Sequence, residues 1–344
     1  MVTMSDIASR AGVSRSTVSV VLNNKDAAVG IAEETRRRVL NAARQLGYRP
    51  NEVARAMVTG KSHVVAFLVA DPSREVVARI LAGAMNEAEP QGYFVKLVAR
   101  DGAWDERIIE RCVETRPVGV MGLYVPPSLN ECLREEMGRY RIPVAILDSS
   151  FPQPGLTRVL SDDLEGVHQA IAHLHGLGHR RIAHIGGTRA SGASTLREEG
   201  YRRAMARFGL PVPEGYVQWG EWEIDAAGRA TERLLDHPEP PTAVFCADDK
   251  TALIASRAPS RRGVRVPEDL SVVGFADLEM ARYGNPALTT VAQPFADLGA
   301  AAVRSLLEAA RSLQRGEEPD TAEVLLPNRL VVRESTARAP LSER

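Results

Sequence analysis

The sequence is short of cysteine, of long apolar runs and of net charge, and each shortage narrows what the chain can be. Its three cysteines, Cys112, Cys132 and Cys246, lie far apart inside apolar runs with no CxxC pair, so reduced thiols packed as small hydrophobes are expected. That usage fits the cytosol. The longest strongly apolar run, Val64 to Ala70, is far too short to span a bilayer, and the N-terminal stretch carries Asp6 and Arg10 without an apolar core. Neither export nor a membrane partner is therefore expected, and a cytoplasmic location is. Enzyme signatures are missing as well: there is no GxSxG, P-loop or HExxH, and GLGHRR lacks the third glycine of a dinucleotide fingerprint. The near-zero net charge of -1 conceals an asymmetry, because residues 1–60 hold nine Lys or Arg against five Asp or Glu. Positive charge concentrated at one end suits a nucleic-acid partner.

What is present at that end is a pattern of short helices. In SDIASRAGVSRSTVSVVLN, from Ser5 to Asn23, Ile7, Ala8 and Ala11 and then Val18, Val21 and Leu22 recur at three- and four-residue steps, which predicts two amphipathic helices broken at Gly12. Ser5 and Ser14 stand where N-caps belong. The outer face of the second helix, Arg15, Ser16, Thr17 and Ser19, is short, polar and basic, the composition that base edges and phosphates in a major groove ask for. This is a helix-turn-helix pattern, although an ordinary helical hairpin can mimic one. A third helix is predicted over Glu33 to Gly47, with Val39, Leu40, Ala43 and Leu46 inward and Arg36, Arg37, Arg38 and Arg44 outward.

GVSRSTVSVVLN, EETRRRVLNAARQLGYRPN and VARAMVTGK, in that order and spacing, resemble the DNA-binding headpiece and hinge helix of the lactose-repressor (LacI/GalR) family. The resemblance implies DNA contacts from Ser5, Ser14, Arg15, Ser16, Thr17, Ser19, Val20, Asn23 and Tyr48, and from Asn51, Ala54, Arg55 and Met57 in the hinge. Asn51 to Thr59 is only about two turns of helix and is marginal alone in water. Its apolar stripe of Val53, Ala54 and Met57 therefore calls for a second copy of itself, and the resemblance implies paired hinge helices in the minor groove with Met57 as the wedge. A homodimer on a near-palindromic operator follows. The family usually carries arginine right after TVS, where this chain has Val20. A thymine methyl contact is expected there in place of a guanine contact. Packing into the headpiece core is the other option for Val20.

From Val64 the pattern becomes apolar runs of four to seven residues alternating with amphipathic helices, the mark of βαβ units and parallel sheets. Two such series, Val64 to Leu147 and Leu164 to Phe275, predict an α/β fold with two doubly wound parallel-sheet lobes behind the all-α headpiece. Blocks such as IAHLHGLGHRRIAHIGG and ALTTVAQP resemble the family's effector core, which shares the fold of periplasmic sugar-binding proteins. The expected division is a headpiece over 1–50, a hinge over 51–61 and a core over 62–336. The first lobe takes about 62–160 and 290–320, the second about 161–289 and 321–336, and 337–344 is a tail. The chain is expected to cross back to the first lobe at Leu288 to Val291 and the helix Phe295 to Gln314, with Val324 to Val332 closing the second. The tail has no apolar heptad and so no tetramerisation helix.

Several strand-like runs end in an acid at the sheet edge where ligands of α/β proteins bind: Asp71, Asp148, Asp248 with Asp249, and Asp277. Carboxylates around a cleft suit a polyol or sugar, although an acid after a strand also serves as the N-cap of the next helix. Trp222 offers a flat face for a pyranose and Arg197 a planar fork of donors. The resemblance supports effector contacts from Arg197, Trp222, Asp249 and Asp277, while Asp248 replaces the family's common asparagine. DPSREVV stands where the family carries a segment like Asn-Pro-Phe-Phe. Its Arg74 and Glu75 suggest an effector more polar than a plain hexose, with an acidic group paired to Arg74; the alternative is that both face solvent. His173, His175, His179 and His184 straddle a helix end and a strand and are not read as a metal site. No cofactor, metal or catalytic residue is expected. The function implied is a transcription regulator, a repressor controlled by a small carbohydrate-like effector.

Overall fold

The computed structural model describes residues 2–22, 30–48, 62–99, 104, 106–147, 156–257 and 262–340. The chain divides into two compact units, Met1–Ser62 and His63–Arg344.

In the first unit α1 (Met4–Ala11), α2 (Arg15–Leu22) and α3 (Glu33–Gln45) close on one small core of Ile7, Ala8, Ala11, Val18, Val21, Val39, Ala42 and Ala43. The cap of α1 is Thr3, two residues before the expected Ser5. Its hydroxyl accepts from Asp6 N at 3.3 Å and its own N–H donates to the Asp6 carboxylate at 2.7 Å. The reciprocal pair satisfies two otherwise orphaned donors, which Ser5 cannot do because no acid stands three residues beyond it. Gly12, at φ +64°, ends α1 in the left-handed conformation that glycine adopts without strain. Ser14 caps α2 as expected, its Oγ accepting from Thr17 N at 3.1 Å. Arg38 is not simply an outward cation: its guanidinium donates to the carbonyl oxygens of Ala11 and Gly12 and so ties α3 to the C-terminal end of α1.

The second unit holds two six-stranded sheets. In the first, β1 (Val64–Val69), β2 (Phe94–Ala99), β3 (Gly119–Leu123), β4 (Val144–Leu147), β5 (Thr157–Ser161) and β11 (Glu323–Leu326) run parallel in the order β11-β5-β4-β3-β1-β2. Its connecting helices are α4 (Glu75–Ala88), α5 (Glu106–Val113) and α6 (Pro127–Arg139). The second sheet takes β6 (Ile182–Gly186), β7 (Val217–Trp219), β8 (Ala243–Cys246), β9 (Ser271–Ala276), β10 (Thr289–Ala292) and β12 (Arg329–Val331) in the order β12-β10-β9-β8-β6-β7, with only β12 antiparallel. Its helices are α7 (Asp163–Gly176), α8 (Gly192–Arg207), α9 (Ile224–Leu235), α10 (Asp249–Arg257) and α11 (Glu279–Tyr283), and α12 (Phe295–Gln314) returns to the first sheet. The central strands read as continuous apolar runs because helices cover both faces.

The crossing differs from expectation. β10 stays in the second sheet beside β9, α12 packs on the first, β11 pairs with β5 of the first, and β12 alone returns to the second. A four-residue strand carries no signal of its partner. Burial does separate them here, since β10 is almost fully enclosed while β11 alternates as an edge strand does. α12 reaches α4 through glycine: a Cβ on Gly83 would lie 1.9 Å from the Ala296 carbonyl oxygen and one on Gly299 2.0 Å from that of Ile80. The stretch assigned to a tail begins too early, because Ala337 N donates to Ser271 Oγ at 3.0 Å and Ala339 N to Leu177 O at 3.0 Å.

Candidate functional site

In each sheet the winding reverses at one pair of neighbouring strands, between β1 and β3 in the first and between β6 and β8 in the second. The connections leaving such strands diverge to opposite faces and leave a crevice beyond their carboxyl ends. Both crevices open on one cavity of about 660 Å³: Asp71 and Arg74 follow β1, Tyr124 and Pro126 follow β3, Thr188 follows β6 and Asp248 follows β8. The wall from the first lobe is largely apolar, with Val69, Val76, Val77, Leu123 and Val125, whereas the second lobe contributes Thr188, Ser191, Arg197 and Asp248. A volume of this order suits a small organic ligand.

Trp222 lies on this cavity as expected. Its placement depends on Gly187, where a Cβ would fall 2.1 Å from the indole ring, and its carbonyl accepts from Lys250 Nζ. Arg197 also reaches the wall, but much of its fork is already engaged. Nε donates to Asp163 Oδ2 at 2.9 Å, Nη1 to Ala247 O at 2.6 Å and Nη2 to Gln293 Oε1 at 3.2 Å, and the guanidinium lies 4.0 Å from the Phe275 ring centroid. Asp163 in turn accepts from Ser161, Gln293 and Asn328. This buried network was invisible in the sequence, because its members come from β5, α7, α8 and the segments after β10 and β11.

The acid ring is smaller than expected. Asp249 is fully buried and does not line the cavity; its carboxylate accepts from Leu278 N at 2.6 Å and from the Thr290 hydroxyl. Asp277 is paired with Arg333 at 2.6 Å, and its carbonyl accepts from Arg79 at 2.8 Å. Both therefore fix the β9 end, and the residue β9 presents to the cavity is Ala276. Asp248, the doubtful one in the sequence, does line it. Asp71 lines it too, with Oδ1 held by Ser73 N at 2.9 Å and Ser73 Oγ at 2.6 Å. Asp148 lies outside the described residues. Trp104, Tyr124 and Gln293 are lining residues the sequence reading missed; the signal for Tyr124 was its place just past a buried apolar strand. Glu75 does not face solvent idly. It accepts from Glu279 N at 2.9 Å and pairs with Arg79 at 2.6 Å, joining the first lobe to the second.

Burial raises the Asp249 carboxyl to about 7 and lowers the fully enclosed His184 imidazole to about 4. The signs oppose each other. Folded Asp249 keeps a proton that the unfolded chain releases near the ordinary 3.8, so its contribution to stability falls as pH rises from about 4 to about 7. Neutral His184 is disfavoured once the unfolded chain can protonate at 6.5, so its contribution falls as pH drops from about 6.5 to about 4. Denaturant unfolding of Asp249→Asn beside the parent tests this. The difference in unfolding free energy between variant and parent should grow in the variant's favour by up to about 1.4 kcal/mol per pH unit across pH 4–7. A constant difference would show that Asp249 is ionised in the folded protein.

In the first unit Arg15 and Ser16 are exposed on α2, with Thr17, Ser19 and Val20 half-buried. Ser14 Oγ lies 2.7 Å from Ser16 Oγ and 2.9 Å from Thr17 Oγ1, one hydroxyl cluster at the helix start. Val20 is not among the side chains packed on the headpiece core, whereas Tyr48 is. Ser5 is exposed on the first turn of α1. Asn23, Asn51, Ala54, Arg55 and Met57 lie outside the described residues. Of the four clustered histidines, His173 meets Thr336, His175 stacks on Phe208, His179 lies between Thr242 and Ala337 O, and His184 lies against Tyr201 and Phe245. Among the described residues no helix is long and apolar enough to cross a membrane.

Two family models match. "Bacterial regulatory proteins, lacI family" covers residues 3–51, and "Periplasmic binding protein-like domain" covers residues 171–336. The chain is 32% identical over 340 residues to the HTH-type transcriptional repressor CytR of Escherichia coli strain K12, covering 98% of this chain and 97% of that one. It is 33% identical over 344 residues to the probable HTH-type transcriptional repressor ExuR of Bacillus subtilis, covering 98% and 99%. Among solved structures, the lac repressor dimer bound to operator and the anti-inducer ONPF superposes with a TM-score of 0.83 at 28% identity over 98% of this chain and 99% of that one. A transcriptional regulator CelR–cellobiose complex superposes at 0.71 with 29% identity over 97% and 100%.

Proposed function

The chain belongs to the lacI family of bacterial regulatory proteins, and from that premise we propose that it is a homodimeric repressor whose hold on a near-palindromic operator is set by a small carbohydrate-like effector between its two lobes. It is a DNA-binding transcription regulator and not an enzyme. The carrying observation is the cavity where the switch points of both sheets meet, in a chain that also presents a capped, polar recognition helix. A ligand touching both lobes can shift their relative arrangement only as far as its affinities for the arrangements differ, and about 1–3 kcal/mol gives a several-fold to hundred-fold response at the DNA. In this reading Asn51, Ala54, Arg55 and Met57 of two copies pair over the centre of the operator, and Arg197, Trp222, Asp71 and Asp248 meet the effector. A role at DNA supports a cytoplasmic location. Two relatives support the ligand class: one solved regulator holds cellobiose, and the lac repressor holds its anti-inducer.

The test is selection of bound DNA from a random library with the full chain, repeated with sugars and sugar acids present. Enrichment of a near-palindrome released or tightened by one compound supports the reading, and absence of any enriched motif overturns it. The same selection with Val20→Arg should change the preferred base pair at one position of each half-site, since an arginine fork reads guanine where valine meets a methyl group. An unchanged motif would place Val20 away from the bases.

A further inference from the structure

We propose, resting on the effector reading above, that the effector is a sugar acid and that Arg74 is the residue that reads its carboxylate. Four charged side chains line the cavity: Asp71, Arg74, Arg197 and Asp248. Three of them are already occupied to some degree. Asp71 is turned onto Ser73, and those hydrogen bonds hold its carboxyl below the usual range. Arg197 is matched by Asp163, and Asp248 uses Oδ1 to cap α10 through Thr251 N at 2.8 Å.

Arg74 differs from the other three. Its guanidinium stands 5.8 Å from the Tyr124 ring centroid and makes no hydrogen bond or ion pair with any described residue, although its charge acts on nearby Asp71. The acid beside it in sequence, Glu75, is committed to Glu279 N and Arg79. The fork is therefore a full set of planar donors near a ring, at the exposed wall of a cavity whose other donors and acceptors are partly spent. Such a fork matches a carboxylate in two parallel hydrogen bonds. Arg74 is also the N-cap of α4, which has no side-chain cap, so the helix end favours the same charge.

The rest of the cavity limits what else the ligand carries. Asp248 Oδ2 has no partner among the described residues and can accept from hydroxyls, and the Trp222 ring and the apolar first-lobe wall suit the carbon face of a sugar ring. This keeps the sequence expectation of an acidic group paired to Arg74 and confines the added polarity to that group. One charge, met by one arginine, is the discriminating feature, and the remaining surface is that of a hexose site.

Titration calorimetry of the full chain with matched pairs tests it: glucuronate against glucose, galacturonate against galactose, and gluconate against glucitol. One acid should bind with its neutral partner weaker by about 10- to 100-fold, the range of one charge-assisted contact. Arg74→Gln should bring that ratio to about one by weakening the acid alone, and Arg74→Lys should fall between. A neutral partner binding as tightly, an unchanged ratio in Arg74→Gln, or no binding by any acid overturns the proposal. The DNA selection keeps the two readings apart: a motif released by a neutral sugar sinks this inference and leaves the regulator standing, while loss of any motif removes the regulator reading itself.

Discussion

Asp163→Ala should lower the unfolding free energy of the effector core by about 3–5 kcal/mol, because it strands the Arg197 guanidinium in a site where the two side chains are 6% and 1% exposed. For a unit of this size the melting temperature falls by roughly 10 °C. The cost is large because nothing replaces the lost partner: Gln293 and Ala247 O take single N–H groups, and neither carries charge. Arg197→Ala mirrors the loss from the other side and leaves Asp163 with only neutral donors from Ser161, Gln293 and Asn328. A paired replacement separates stability from binding. Asp163→Asn with Arg197→Met removes both charges at similar volume, keeps an acceptor for Ser161, Gln293 and Asn328, and should recover much of the stability. It should not recover the effector response, because Arg197 also lines the cavity. Thermal unfolding and effector titration of the three variants test this, and a stability loss under about 1 kcal/mol in Asp163→Ala would show the pair to be solvated.

Much of this fold was legible, and the reasons are local. β1 and β9 are unbroken apolar runs, α12 is a long amphipathic repeat, and the Gly12 turn with the Ser14 cap is short-range chemistry that sequence carries outright. What escaped depends on pairing at a distance. β5, TRVLS, is too short and too mixed to announce itself; β11 takes it as partner from more than a hundred residues away, while β10 stays beside the nearby β9 through a burial that no window reveals. The site shows the same division. Arg74, Arg197 and Trp222, legible as residues next to strand ends or in recognisable blocks, line the cavity. Asp249 and Asp277 were assigned to the ligand on the same grounds, yet their partners, Thr290, Leu278 N and Arg333, lie beyond any local pattern and turn them inward. An acid after a strand tells of an edge; whether it serves a ligand or a turn is decided by what the second lobe brings to it.

Replacing Ser16 and Thr17 together with alanine should remove sequence-specific DNA binding while leaving the headpiece folded. The two hydroxyls stand at the start of α2 beside exposed Arg15, the part of a recognition helix that meets base edges. Each lost base contact costs about 1–3 kcal/mol, so the pair weakens the specific complex by roughly 30-fold to 10⁴-fold. Folding is spared because the capping bond, Thr17 N to Ser14 Oγ at 3.1 Å, uses only the backbone of residue 17, and the core contacts come from Val18 and Val21. Non-specific binding and its salt dependence should stay close to the parent's, since phosphate contacts are made by cations that the double variant keeps. Arg15→Ala makes the contrasting case. It weakens binding to all sequences and lowers the slope of log affinity against log salt by about one. Competition binding at several salt concentrations, with selected and scrambled DNA, distinguishes the two. A double variant that still prefers its operator by the parent's margin would move the specificity of this protein off the start of α2, onto Val20 or onto Ser19 on the same helix.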